Sequence, residues 1–397
     1  MSDRPLRICL LMHSLNPRGG VVHTLELADA LVSKGHEVTV FAAARHGERL
    51  FRETLAELSV AALPADLPAD LVAMVGARID AVYRHLRAWP DLVDLDVLHA
   101  QDSISANALA RLCDEGAIPG FVRTVHHLDV FDEPQLQAWQ TKGVHAASRL
   151  FCVSELWQGV LARDWQLRAE RVSNGVNLQR FGKLVSTEQA VRDAATCRQW
   201  GVQPEGPVWL AVGGVESRKN TTRLLRAFVQ ARVQRPDAQL VIAGGASLLA
   251  HEAEVQAFTA LADQHGLLPG LDHSDRLVIT GPLPDDVLPA LYRRADAVAM
   301  PSLKEGFGLV VLEALACGTP AIASRMAPFT EHLGPQDVLW VDPTDHDDIA
   351  RALLLSLDEQ HVRPVLARAD EICARMSWAH SARQHEFFYR QQRIHHA

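Results

Sequence analysis

Short apolar runs alternate along the chain with longer stretches in which apolar residues recur every three or four positions. RICLLM (Arg7 to Met12) has the look of a buried strand. Val21, Leu25, Ala28 and Leu31 follow at helical spacing, and Gly35 closes that helix as a C-cap glycine would. EVTVFAA (Glu37 to Ala43), VLHA (Val97 to Ala100), FVRTVHH (Phe121 to His127) and RLFCVS (Arg149 to Ser154) continue the series. Continuous apolar strands joined by helices predict a parallel sheet covered on both faces. From Lys183 to Pro207 the pattern lapses into polar, mixed sequence and ends in the turn-rich GVQPEGP. It then restarts with VWLAVGG (Val208 to Gly214), QLVIAGG (Gln239 to Gly245), RLVITG (Arg276 to Gly281), AVAMPS (Ala297 to Ser302) and PAIAS (Pro320 to Ser324). The expected fold is α/β: two Rossmann-like, doubly wound parallel-sheet domains facing a cleft. Their expected bounds are 1–183 and 207–376, with a linker over 184–206. The tail 377–397 reads as one helix returning to the first domain.

Composition narrows the function classes. A chain of 397 residues is too long for one ordinary core, which agrees with two domains. The net charge of −9 argues against nucleic acid and against broad contact with anionic lipid, both of which want a basic surface. No apolar run reaches membrane-spanning length. Met1 to Arg7 is polar and leads straight into a strand, unlike a signal peptide, so a cytoplasmic location is expected. Cys9, Cys113, Cys152, Cys197, Cys317 and Cys373 are far apart and form no CxxC pair, as expected of reduced core thiols.

In open α/β sheets, ligands bind beyond the carboxyl ends of the strands. Four stretches there could carry chemistry. NPRGGVVHTLELA follows the first strand and places Gly19 and Gly20 at a helix start, where bare backbone lets amides approach an anion. The nicotinamide pattern GxGxxG and the P-loop pattern GxxxxGK[ST] are both missing there and after VWLAV. GGVESRKNTTRLLRAF holds Arg218 and Lys219 before a helix expected from about Thr222, with Asn220 or Thr221 as its cap. A forked guanidinium beside a point-charge ammonium suits a diphosphate, although an adjacent cation pair is more often just solvated surface. KEGFGLVVLEA (Lys304 to Ala314) places Glu305 beyond a strand end, then Gly306 and Gly308, then a helix to Ala316. The first-turn amides of Gly308, Leu309 and Val310 can face phosphate oxygens. Glu313 has apolar neighbours on both sides, so its charge needs a partner. A carboxylate accepting two adjacent hydroxyls is a good ribose ligand. Finally, FVRTVHHLDVFDEP ends a strand with His126 and His127. Together with Asp129 they make no closed metal-ligand set.

These stretches resemble the nucleotide-sugar-dependent retaining glycosyltransferases of GT-B architecture, the group that includes sucrose synthase-like and phosphatidylinositol mannosyltransferase-like enzymes. The most specific match is PSLKEGFGLVVLEALACGTPAIAS (Pro301 to Ser324), with its E-x7-E spacing and trailing G-T-P. GGV (Gly19 to Val21), TVHHLD (Thr124 to Asp129), CVSELW (Cys152 to Trp157), SNGVNLQRF (Ser173 to Phe181), VGGVESRKN (Val212 to Asn220) and TGPLPDDVLPALYRRADAVAMPS (Thr280 to Ser302) follow the family's order over nearly the whole chain.

The resemblance implies a hexosyltransferase with a first domain on the acceptor side and a second that binds the sugar nucleotide. Glu305 and His126 would act at the transferred sugar. Gly19, Gly20, Arg218, Lys219, Gly308, Leu309 and Val310 would hold the diphosphate, Glu313 the ribose, and the backbone near Leu283 the base. His127 and Asn174 would lie toward the acceptor, whose class stays open among small molecules, glycans and lipid-linked molecules. His127 departs from the Asp common in the family, and Ser173 and Asn177 depart from its P-N-G-V-D. With a cation pair, and no Asp-x-Asp where a metal-dependent glycosyltransferase would hold one, no metal and no cofactor beyond the sugar nucleotide are expected. Glu305→Gln is expected to spare free-nucleotide binding and Glu313→Ala to weaken it. An epimerase or hydrolase acting on sugar nucleotides, and a non-catalytic sugar-nucleotide-binding module, would share the donor site. A phosphorylase would need a pyridoxal-phosphate lysine, and the sequence offers no context for one.

Overall fold

Arg7–Met12 forms the first strand, β1, with all but its first residue buried. That is what a strand covered by helices on both faces requires. A computed structural model describes residues 4–245, 252–272 and 274–392. β1 is joined by β2 (Glu37–Ala44), β3 (Glu57–Ala62), β4 (Val97–Ala100), β5 (Val122–Val125), β6 (Arg149–Cys152) and β7 (Ala169–Arg171). The sheet order is β3-β2-β1-β4-β5-β6-β7, and every neighbouring pair is parallel. A second sheet contains β8 (Val208–Val212), β9 (Gln239–Ala243), β10 (Leu277–Gly281), β11 (Ala297–Met300), β12 (Ala321–Ser324) and β13 (Leu339–Val341). Its order is β10-β9-β8-β11-β12-β13, again all parallel. Both sheets are doubly wound. The chain reverses its direction of travel across the sheet between β1 and β4 in the first, and between β8 and β11 in the second. A ligand crevice opens beyond the strand ends at such a reversal.

The chain divides into two units. One holds Met1–Asn174 with Trp378–Ala397, and the other Gly175–Ser377. The division therefore falls before residue 183, where the sequence pattern had placed it. The stretch 184–206, expected as a linker, contains the helix Thr187–Gln199, which belongs to the second unit. Cys197 is the one buried residue of this helix, so its apolar signal is too thin to read. Asp193 docks it by accepting from Arg293 Nε at 2.6 Å and Nη2 at 2.9 Å, a bidentate pair.

The helix Trp378–Gln392 packs into the first unit, as expected of a returning tail. Arg149 Nη1 donates to the Phe388 carbonyl at 3.1 Å, and Lys34 Nζ lies 3.0 Å from a Glu386 oxygen. Tyr389, fully buried, reaches β4 through His99. In the second unit, Trp209, Leu225, Phe228 and Ile349 are fully buried in one core. Cys9, Cys152, Cys197, Cys317 and Cys373 are all buried. Among the described residues, no helix is long and apolar enough to cross a membrane.

Candidate active site

In the first unit the site is built where β1, β4 and β5 end. Gly20 lies in the first turn of the helix Gly19–Ser33. A Cβ on Gly20 would meet His126 Cδ2 at 3.6 Å, so the helix start rests against that imidazole. β5 stops at Val125, one residue before His126, so strand alternation assigns no face to His127. His126 is half-buried and its Nε2 bonds Gln101 Oε1 at 3.0 Å. Burial, followed by the neighbouring His127, pushes its pKa down to about 3, so the ring is neutral at physiological pH. His127 is exposed, with Nε2 3.3 Å from Asp129. Asn174, expected toward the acceptor, is instead buried, and its Oδ1 lies 2.9 Å from Nδ1 of the fully buried His23.

In the second unit β8 enters a glycine turn. Gly213 has φ +126°, and a Cβ there would come 2.9 Å from Lys219 Cε, so glycine lets the lysine lie across the turn. Arg218 and Lys219 sit on the short 3₁₀ turn Ser217–Lys219, ahead of the helix Thr221–Ala231. Neither Asn220 nor Thr221 caps that helix through its side chain. Asn220 is left-handed (φ 62°), and its Nδ2 donates to the carbonyls of Pro301 at 2.8 Å and Pro343 at 2.7 Å. It thereby ties the cation turn to the exit of β11, and Leu303 N adds a bond to Arg218 O at 2.9 Å.

These ties bring Glu305 onto both cations. Its Oε1 accepts from Lys219 Nζ at 2.7 Å, Arg218 Nη1 at 3.1 Å and Ser302 Oγ at 3.1 Å. Burial alone would raise the Glu305 carboxyl. Lys219 and Arg218 outweigh it and hold the group below its ordinary value. Arg218 Nη2 also donates to Glu216 Oε2 at 3.3 Å. The side chains of Arg218 and Lys219 are 28% and 14% exposed, so both stay open to a ligand from one side.

The helix Leu309–Ala316 begins at Gly308, whose φ of +95° favours glycine. A Cβ there would overlap Phe329 Cε1, so any side chain would displace a buried ring. Glu313 is buried, and its Oε2 accepts from Tyr292 Oη at 2.7 Å, which supplies a partner for its charge. Leu283 is half-buried in the loop after β10. Among the described residues, the one close group of metal-ligating atoms is Asp345, His346 and Asp347, all within 4.8 Å. Asp345 Oδ1 already accepts from the Asp347 amide at the helix start.

Residues 17–180 match the family described as Glycosyltransferase Family 4, and residues 195–371 match Glycosyl transferases group 1. The chain is 30% identical to a D-inositol 3-phosphate glycosyltransferase of Mycolicibacterium smegmatis, over 96% of its own length and 89% of the relative's. This chain is a GT-B glycosyltransferase. It is also 28% identical to the phosphatidyl-myo-inositol mannosyltransferase of the same organism, with 92% of this chain and 89% of that one covered. The fold is similar to that of sucrose-phosphate synthase from Thermosynechococcus elongatus, with a TM-score of 0.76 at 21% identity, covering 98% and 99% of the two chains. Membership in this nucleotide-sugar-using family makes the chain an enzyme and a transferase.

The glycosyltransferase therefore gathers Arg218, Lys219 and Glu305 into one hydrogen-bonded group in its second unit, and Gly20 with His126 in its first. Four polar residues of these sites went unnoticed in the sequence. Gln101 directly follows a predicted strand and Ser302 is the last residue of one, so the strand-end rule would have found both. Glu216 and Tyr292 gave no signal short of the contacts themselves.

Proposed function

We propose that this glycosyltransferase moves a sugar from a nucleoside-diphosphate sugar to an acceptor hydroxyl with retention of anomeric configuration and without a metal ion. Arg218, Lys219 and the amides of Gly308, Leu309 and Val310 take the diphosphate, with Gly19 and Gly20 contributing from the first unit. Glu313 holds the ribose, and the backbone near Leu283 holds the base. Glu305 and His126 act on the transferred sugar, and His127 lies toward the acceptor. The observation that carries this reading is the partly desolvated cation pair, fixed by backbone ties next to a helix start. Two cations held in one place can stabilise the charge that develops on a diphosphate leaving group. In the reaction, the bond from the sugar's C1 to the phosphate oxygen breaks and its electron pair stays on the diphosphate. The acceptor oxygen bonds C1 from the same face, and its proton passes to the departing phosphate oxygen. Products are the glycoside and a nucleoside diphosphate.

Two outcomes test this. Lys219→Ala and Arg218→Ala should each weaken binding of free UDP or GDP by roughly 1–3 kcal/mol, the range for removing a charge-assisted bond. Titration calorimetry that returned wild-type affinity for both variants, for every nucleoside diphosphate that binds the wild type, would remove the diphosphate assignment. Transfer should also continue in excess EDTA, with the product anomer by NMR matching the donor's. Activity abolished by chelation and restored by Mg²⁺ or Mn²⁺ would overturn metal independence, and an inverted product would overturn retention.

A further inference from the structure

A hydrogen-bonded chain runs inward from His126. Gln101 is 4% exposed and His99 fully buried. Gln101 Oε1 stands 3.0 Å from His126 Nε2, and its Nε2 stands 3.4 Å from His99 Nε2. His99 Nε2 also lies 2.8 Å from Thr124 Oγ1, and its Nδ1 lies 2.6 Å from Tyr389 Oη on the helix Trp378–Gln392. A carboxamide has a fixed polarity: its oxygen accepts and its nitrogen donates. An acceptor facing His126 Nε2 requires the ring's hydrogen there. A donor facing His99 Nε2 requires a lone pair there, which the Thr124 hydroxyl can share. The His99 hydrogen then sits on Nδ1 and donates to Tyr389 Oη. With the Gln101 carboxamide oriented this way, one proton arrangement satisfies every contact in the chain.

We infer that Gln101 is a positioning residue that fixes the His126 hydrogen on Nε2, so that His126 meets its substrate with Nδ1 as a hydrogen-bond acceptor. Among the described residues, Nδ1 makes no hydrogen bond, and the half-buried ring leaves it an open side. A neutral imidazole with Nδ1 bare can receive a sugar hydroxyl's hydrogen; it cannot donate one from that atom. This reverses the direction that a histidine beside a sugar would be given by default. The ring is surrounded by His23, with ring centroids 4.6 Å apart, and by His99, Asp102, Arg123, His127 and His385. None of these is hydrogen-bonded to it, so the tautomer rests on Gln101. The tautomer stands apart from the reading of His126 as a sugar contact; only its consequence for the substrate rests on that reading.

The test is ¹⁵N NMR of the full chain with labelled histidine, the His126 signals being assigned by their disappearance in His126→Ala. The wild type should show the pattern of a neutral ring protonated on Nε2. Gln101→Glu keeps an acceptor at the same place and should keep the hydrogen on His126 Nε2. Gln101→Leu removes the acceptor; the His126 signals should move toward a tautomer mixture, and kcat should fall roughly tenfold with the donor KM changed less. A wild-type ring protonated on Nδ1, or an unchanged pattern in a folded Gln101→Leu variant, overturns the inference. If the pattern is as expected but His126→Ala keeps full turnover, the tautomer holds and the assignment of His126 to the sugar fails.

Discussion

His126→Ala is expected to lower turnover by ~10²-fold or more while free nucleoside diphosphate binds as before, the behaviour of a preorganised site deprived of one polar group. The size follows from how firmly the ring is held. Gln101 bonds its inner nitrogen, Gly20 lies against its edge and His23 meets its plane. A group held this way needs no reorganisation as the sugar reacts, so its removal falls on kcat. His127, exposed and paired with Asp129, has no such support, and His127→Ala should act mainly on acceptor affinity. Steady-state kinetics with donor and acceptor varied separately decide the matter. A silent His126→Ala beside a His127→Ala that abolishes turnover would move the assignment by one residue.

Glu305→Gln should produce two changes of opposite sense. Turnover falls, by ~10²-fold, because the transferred sugar is deprived of its anionic partner. Free UDP or GDP binds more tightly, by about 1 kcal/mol, near the low end for one charge-assisted bond. The second effect departs from the expectation raised by the sequence, in which Glu305 touches the sugar alone. In the structure its carboxylate holds Lys219 at 2.7 Å and Arg218 at 3.1 Å, the cations a diphosphate must recruit. Every phosphate oxygen that binds them competes with it. Glutamine keeps the hydrogen-bond geometry and removes the competing charge. Calorimetry on the variant reads the sign directly. Weakened nucleotide binding would mean that Glu305 organises the cations rather than competing for them.

The central strands were legible because burial on both faces leaves an unbroken apolar run, as in β1 and β9. The edges were not. β3 buries one residue of six, and β7 and β13 are three residues long; none carries a run that pattern can detect. Arg218, Lys219, Glu305 and His126 could be named in advance because each lies just past a strand, where a doubly wound sheet places its ligands. That Glu305 would close onto the cations was not legible. It depends on Asn220 reaching two carbonyls 81 and 123 residues away, and no local spacing encodes that. The bond between Asn174 and His23, 151 positions earlier, was not legible for the same reason.

The return of the helix Trp378–Gln392 also sets an order of events during synthesis. The second unit, Gly175–Ser377, is one continuous stretch and has all its strands once Val341 has emerged from the ribosome. The first unit is translated earlier but stays incomplete. Until the segment after Ser377 appears, Tyr389 is missing beside His99 and Trp378 beside His23. Contacts so distant in sequence form slowly, because the intervening chain must be brought to order first. The half of the molecule that is made first is therefore finished last. The residues that receive the final helix, among them His23, His99 and Phe151, stay uncovered throughout the translation of the second unit, an exposure of the kind chaperones exist to shield.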